Sequence, residues 1–314
     1  MARYLEQRLK IRHLRVIDAV EQHKSVLRAS QAMGVSQPTL TRSLQEVEEI
    51  IGAALFERHA RGVRANETGR MLAERARTLL GIIRRTEDDL AGLADDRRRS
   101  IRVGALPVAA LGLMPAVIAR TSVQGARLTI TLTEGRTSDL IAALERGDID
   151  VIVGRLYEPA TADSLTRRIL YDEPISLIAR HDHPVFESGA MTAGDVAKYP
   201  LVLPALSSLI QREVIYAIEK LGLPIADAVQ SGSVGFIREL LMNGDFITAM
   251  PRVMVAGDLT RGSLKNLPVE VRHNSRPAGL IFCDDLGAAG DLMLAEIGRE
   301  LSRLADESVI VLPE

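Results

Sequence analysis

The run SVLRASQAMGVSQPTLTRSLQEVEE, Ser25 to Glu49, leaves the chain few ways to fold. Ser25 can cap a short helix that carries Ala29 and Met33 on its apolar side, and Gly34 supplies permissive backbone just past its end. Ser36 repeats the start signal, and Pro38 falls in the first turn of the next helix, where its missing N–H costs nothing. Leu40, Leu44 and Val47 then recur at helical spacing, as Leu14, Ile17 and Val20 do in an earlier segment ending near His23. One helix followed by two more across a short glycine-containing turn is a helix-turn-helix.

With Leu40, Leu44 and Val47 turned inward, the helix opened by Ser36 and Pro38 presents Gln37, Thr39, Thr41, Arg42 and Gln45 outward. Those side chains suit a DNA major groove: Arg pairs with guanine, Gln with adenine, and Thr with phosphate or a thymine methyl. A polar row alone is the ordinary wet face of a helix; the turn, the two caps and the preceding helix are what make it a reading surface. Next comes ALFERHARGVRANETG, with Leu55 and Phe56 as apolar anchors and Arg58, Arg61 and Arg64 around Gly62. A basic loop of this kind beside the reading helix predicts a wing, with Arg61 or Arg64 reaching backbone or minor groove. Residues 1–66 hold eleven Lys and Arg against seven Asp and Glu, so this segment is basic although the whole chain carries a net charge of -2. A basic start on an acidic body places the polyanion contact in the first segment.

Asn66 is a cap for a long helix in which Leu72, Ala76, Leu79, Ile83, Thr86, Leu90 and Leu93 alternate steps of four and three. Such a helix is roughly 40 Å long at 1.5 Å per residue. It packs either on its own domain or on a second copy, and a two-fold operator favours the copy. DDRRRS, residues 95–100, breaks the periodicity as a hinge. Strand and helix patterns then alternate: IRVGALP, LTITLTEG, DIDVIVGRL, EPISLIAR, YPLVLP, a helix over 208–221, DFITAMP, LPVEVR, AGLIFCDD, and a closing helix from about 290 to 305. That grammar predicts an α/β domain with a largely parallel sheet.

At 314 residues there is room for about two domains of roughly 150 residues each. The single Cys283 excludes an internal disulfide, and no run of about 18 apolar residues is present to span a bilayer. The opening MARYLEQRLKIRHLRVI lacks the apolar core of a signal peptide, so a cytoplasmic protein without membrane contact is expected.

The residues from Arg28 to Gly69, including Ser36, Gln37, Pro38, Leu55, Phe56, Arg58 and Gly69, resemble the N-terminal signature of the LysR-type transcriptional regulators almost position by position. Ser30 stands where the family usually has Ala and Asn66 where it usually has Thr; Ser is small and Asn caps as well, so neither change disturbs the match. The resemblance implies a winged helix-turn-helix over 1–66, a linker and dimerisation helix over 67–95, a hinge at 96–100, and a two-lobed, periplasmic-binding-protein-like effector domain over 101–314. Lobe 1 would span about 101–168 and 277–314, and lobe 2 about 169–276. It also implies an inducer between the lobes, homodimers or homotetramers on an interrupted palindrome of double-stranded DNA, and RNA polymerase as a partner. VGRLYEP and GDFITAMPRVM resemble a branch that regulates aromatic-acid catabolism or sugar-binding proteins, which makes an aromatic or dicarboxylic acid or a sugar the expected effector.

In open α/β lobes, ligands sit at the carboxyl ends of strands against helix N-termini. The positions that fit are Leu106 and Pro107, Arg136 with Thr137 and Ser138, Arg155, Ser207 with Ser208, and Ser233. The Ser and Thr would donate polar contacts, with Arg136 or Arg155 pairing a carboxylate; each Ser or Thr taken alone is equally a plain helix cap. Signals for catalysis, metals or cofactors fail. In RHDHP, His181, Asp182 and His183 are expected in a solvated loop, Cys283 is expected as a buried thiol in a strand, and GAAGD near Gly287 as a turn. A cargo-carrying solute-binding protein would suit the α/β half but leaves residues 1–95 without a role, and an enzyme would need an acid/base or nucleophile constellation that is not evident.

Overall fold

The computed structural model describes residues 5–59, 62–94, 99–123, 128–156, 165–187, 191–205, 208–271, 277–283 and 286–313. They form two units, Met1–Asp96 with Ala142–Ile149, and Arg97–Ile141 with Asp150–Glu314.

The first unit opens with a short helix the sequence did not announce, α1 (Leu5–Arg8), followed by α2 (Ile11–His23), α3 (Val26–Ala32) and α4 (Gln37–Ile51). Strands β1 (Phe56–His59) and β2 (Gly62–Ala65) pair antiparallel, and the long helix α5 runs from Glu67 to Ala94. The caps sit where the sequence places them: Ser25 accepts the Arg28 N–H at 3.4 Å, Ser36 that of Thr39 at 3.3 Å, and Asn66 that of Gly69 at 2.9 Å. Ile17, Val20, Leu40, Val47 and Leu55 close the core. Two charge pairs tie its helices: Arg12 on α2 to Glu46 on α4 at 3.0 Å, and Arg77 on α5 to Asp18 on α2 at 2.6 Å. Gly69 permits α5 to start against the wing, because a Cβ there would lie 2.1 Å from the Leu55 carbonyl oxygen.

Beyond the long helix the chain runs β3 (Arg99–Ala105), α6 (Pro107–Gly112), α7 (Met114–Val123), β4 (Leu128–Glu134), α8 (Thr137–Glu145), β5 (Val151–Arg155) and β6 (Thr166–Asp172). It crosses into β7 (Ile175–Arg180), α9 (Ala193–Val196), β8 (Leu201–Pro204), α10 (Ser208–Lys220), β9 (Val229–Ser231), α11 (Val234–Asn243), β10 (Ile247–Pro251), α12 (Ala256–Arg261) and β11 (Leu264–Asn266). It returns through β12 (Pro277–Phe282) and ends with α13 (Gly287–Asp306). Two five-stranded sheets result, ordered β4-β3-β5-β12-β6 and β11-β7-β10-β8-β9, one per lobe. One continuous core joins them, including Val103 and Val153 of the first sheet and Leu177 and Met250 of the second.

Several expectations are corrected. The sheets are mixed rather than largely parallel: β3 pairs parallel with β4 and β5, but β12 pairs antiparallel with β5 and β6, and β7 antiparallel with β10 and β11. A strand returning from the other lobe enters its sheet from the opposite end, which alternating strands and helices cannot reveal. The first crossing comes after Asp172, because 166–172 is a strand of lobe 1. In the LPVEVR segment, residues 267–271 do not form a strand and Arg272 lies outside the described residues; Leu264–Asn266 takes the edge position beside β7 instead. GAAGD forms the first turn of α13 rather than a free turn. His183 is buried and not solvated: its Nδ1 accepts the Val185 N–H at 3.0 Å, and its ring meets Tyr199 edge-on at 4.6 Å. Cys283 lies one residue beyond β12 and is half-buried. β3 begins at Arg99, inside the expected hinge, and residues 95–98 lie outside the described residues.

Candidate functional site

The surface of α4 follows from its register. Leu40, Leu44, Val47 and Ile50 are buried, so Pro38, Arg42 and Gln45 are carried to the opposite side together with half-buried Thr41. Gln37 and Thr39 are exposed in the first turn, where the Ser36 and Thr39 hydroxyls lie 2.7 Å apart. Pro38 fits there because the first turn has no carbonyl waiting for its N–H.

The wing is fastened at both ends. At its root, Glu48 of α4 accepts the Leu55 N–H at 2.8 Å and the Phe56 N–H at 3.4 Å. At its tip, the Val63 N–H donates to the Lys24 carbonyl at 3.1 Å, and Lys24 itself holds a left-handed backbone with φ 48°. Gly62 is required at that close approach, since a Cβ there would lie 2.3 Å from the Lys24 oxygen. Neither Glu48 nor Lys24 stood out in the sequence; the apolar Leu55 and Phe56 after the end of α4 were the only hint. Arg64 is exposed, and Arg58 stands in β1 opposite Val63. Arg61 lies outside the described residues. Arg42 and Arg64 make no ion pair among the described residues, in contrast to Arg12 and Arg77, which are spent on scaffold carboxylates. Glu57 stands opposite Arg64 in the wing ladder and Glu46 lies one turn along α4 from Arg42, but neither forms an ion pair with these exposed guanidinium groups among the described residues, which leaves them able to meet phosphates or bases.

In the second unit, the two lobes touch where segments that follow strand ends meet. α6, which follows β3, packs on the 3-10 turn Arg252–Val255 that follows β10; a Cβ on Gly112 would meet the Val253 oxygen at 1.7 Å. The expected effector residues are found at separate element starts and ends. Leu106 and Pro107 open α6, with Leu106 buried and its N–H donated to the Val153 carbonyl at 2.9 Å. The Arg136 carbonyl accepts the Asp139 and Leu140 N–H groups at the start of α8, leaving its guanidinium exposed and without an ion-pair partner among the described residues. Thr137 is half-buried and Ser138 exposed; Ser208 opens α10, and Ser207 lies outside the described residues. Ser233 acts as a cap, accepting the Phe236 N–H at 3.2 Å.

Arg155 is different. It ends β5 with only 2% of its side chain exposed, its Nε donating to Glu173 and its Nη1 to Glu213 of α10. Glu173 is fully buried in the crossing between β6 and β7 and also accepts the Tyr171 hydroxyl at 3.1 Å. Burial pushes the Glu173 carboxyl above its usual range, with Arg155 pulling the other way. Burial and the adjacent Glu173 likewise push the Tyr171 hydroxyl well above its ordinary value. Sequence reading found the cation and missed both anions, which lie 18 and 58 residues away.

Among the described residues no group of three or more His, Cys, Asp and Glu could hold a metal ion, and no helix is long and apolar enough to cross a membrane.

Comparison with known proteins agrees with both halves. Residues 11–70 match the family model of the bacterial regulatory helix-turn-helix protein, lysR family, and residues 94–286 match the LysR substrate binding domain. The chain is 30% identical over 277 residues to the HTH-type transcriptional regulator PcaQ of Agrobacterium fabrum, covering 88% of this chain and 89% of that one. It is 29% identical over 279 residues to the uncharacterized HTH-type transcriptional regulator YdcI of Escherichia coli K12, covering 88% and 90%. Among solved structures, a full-length OxyR variant of Pseudomonas aeruginosa shares the fold with TM-score 0.62 at 20% identity, covering 93% of this chain and 94% of that one. The LysR family regulator CbnR does so with TM-score 0.58 at 18%, covering 93% and 99%.

Proposed function

The chain belongs to the LysR family of transcriptional regulators, DNA-binding proteins with an effector-binding domain, and we propose that it reads an interrupted palindrome as a homodimer or homotetramer under control of a small acid held between its lobes. The observation that carries this reading is the outer face of α4, where Gln37, Thr39, Arg42 and Gln45 are exposed and Arg42 makes no ion pair among the described residues. Gln45 and Arg42 read base edges in the major groove, while Arg58, Arg61 and Arg64 of the wing hold the backbone. On the 28-residue α5, Met71, Leu79, Ile82 and Leu90 are exposed, which supports pairing of this helix with a second copy.

The effector is an aromatic or dicarboxylic acid, a reading supported by two cations near strand ends, the exposed Arg136 at the start of α8 and the buried Arg155 at the end of β5. It acts by favouring one arrangement of the lobes, since a ligand shifts a conformational equilibrium only by its preference between states. The protein works in the cytoplasm, contacts RNA polymerase at its promoters and catalyses no reaction. The test is a footprint of the full-length protein on DNA from its own upstream region, with benzoate, succinate or galactose added. A long protected region that shortens or shifts with one acid is the expected result; protection that responds to galactose alone makes the effector a sugar, and no protection at all refutes the regulator reading.

A further inference from the structure

Arg155 ends a strand of lobe 1, and its guanidinium holds two carboxylates of the chain itself, one of them from lobe 2. The two are not equivalent. Glu173 is fully buried, lies in the short crossing between lobes, and is held from its other side by the Tyr171 hydroxyl, so it has no route to water. Glu213 comes from the opposite lobe, on α10, and keeps 19% of its side chain exposed. A helix-borne Glu at the edge of solvent can swing out and regain its hydration; a fully buried one cannot. A carboxylate arriving from solution would replace the Glu213 arm with another of equal charge, so the desolvated guanidinium never stands unpaired.

We infer that Arg155 is the anion receptor of the inter-lobe cleft and that Glu213 is its built-in occupant, which an acidic effector enters by displacing. This rests on the reading of the cleft as the effector site. Displacement changes more than the site. In the free protein Arg155 of lobe 1 is tied to α10 of lobe 2; with the effector in place that tie runs through the ligand, so occupancy is transmitted to lobe 2. Glu213 is then the residue that sets specificity: neutral compounds cannot offer Arg155 what it would lose.

The test uses the full-length protein and its E213Q and R155K variants, titrated calorimetrically with benzoate, succinate and citrate, and with galactose as the neutral probe. Glu213→Gln keeps size and shape and removes the competing charge, and it lies at the edge of solvent, so the fold is retained. At least one of the acids should bind E213Q about tenfold or more tightly than wild type, and R155K, which keeps the charge but loses the two-armed fork, should lose that gain when combined with E213Q. Galactose should show no difference between the variants. Equal acid affinity in wild type and E213Q overturns the displacement idea while leaving the cleft reading intact. Acid binding that survives unchanged in the R155K/E213Q double variant overturns Arg155 as the receptor, and failure of all three acids to bind either wild type or E213Q overturns the proposal as a whole. The regulator reading fails separately, through the absence of a footprint.

Discussion

Gly112→Ala measures how tightly the two lobes are joined at α6. The added Cβ would sit 1.7 Å from the Val253 carbonyl oxygen and 2.5 Å from both its carbon and its Cγ1. Gly112 does not have a positive φ, so the penalty is steric and not conformational. Relief needs a shift of about 1.5 Å to restore ordinary non-bonded separation. The obstacle is backbone in the buried turn Arg252–Val255, not the end of a flexible side chain. Overpacking of a core costs about 1–3 kcal/mol, and backbone on the receiving side places this case near about 3 kcal/mol. For a domain of this size each kcal/mol lowers Tm by about 2–4 °C, so G112A should melt about 6–12 °C below wild type. Gly298 provides the opposite case: it is exposed in the middle of α13 with nothing within 4 Å of its would-be Cβ, and G298A should stabilise by about 0.5–1 kcal/mol through helix propensity. Calorimetric melts of the full-length variants decide. A G112A protein that melts with wild type, or a G298A protein that falls as far as G112A, would refute the steric argument.

Three other perturbations are equally direct. Arg64→Ala should lower the slope of log K against log salt by about 0.9 and leave the preferred sequence unaltered; an unchanged slope removes this wing residue from the phosphate contact. Leu79→Lys combined with Ile82→Lys, both on the exposed side of α5, should convert the protein to monomers in light scattering and abolish binding to the full operator, and an unchanged mass would exclude that side of the helix from the subunit interface. Burial of Asp258 would raise its carboxyl pKa, but hydrogen bonds from Ser263, Arg238 and Arg261 outweigh it and hold the value below the usual 3.8. A depressed carboxyl contributes stability above its unfolded pKa that is lost as pH falls through its native one. Asp258→Asn should therefore melt below wild type at pH 7 and converge with it below pH 3.8; a gap that persists to the lowest pH would assign the effect to packing.

The DNA-reading half was legible because its determinants are local. Ser25, Ser36 and Asn66 are caps whose partners lie three residues away, and Gly34 takes φ +66° at a turn set by its immediate neighbours. The second half yielded most of its strands, though not β6, β9 or β11, and not their directions, since the antiparallel entry of β12 beside β5 depends on a chain that has left for the other lobe and returned. Val269 and Val271 alternate like a strand, yet they pack on the core outside the assigned strands, and Leu264–Asn266 takes the edge of β7. His183 looked solvated beside two polar residues and a proline; Tyr199, sixteen positions on, is what covers it. The same limit hid Glu173 and Glu213. An isolated Glu in a helix reads as surface, and only the folded chain brings it to Arg155.

The central claim is that the α4 surface reads DNA sequence, and one measurement tests it most directly: the affinity of the full-length protein for its footprinted upstream site and for random duplex of equal length, followed from about 50 to 200 mM salt. Affinity for both should fall steeply as salt rises, with the specific site held at least about a thousandfold more tightly throughout and that margin collapsing when Arg42 and Gln45 are both changed to Ala. Equal affinity for the two duplexes, or a margin that survives the double change, would contradict the account.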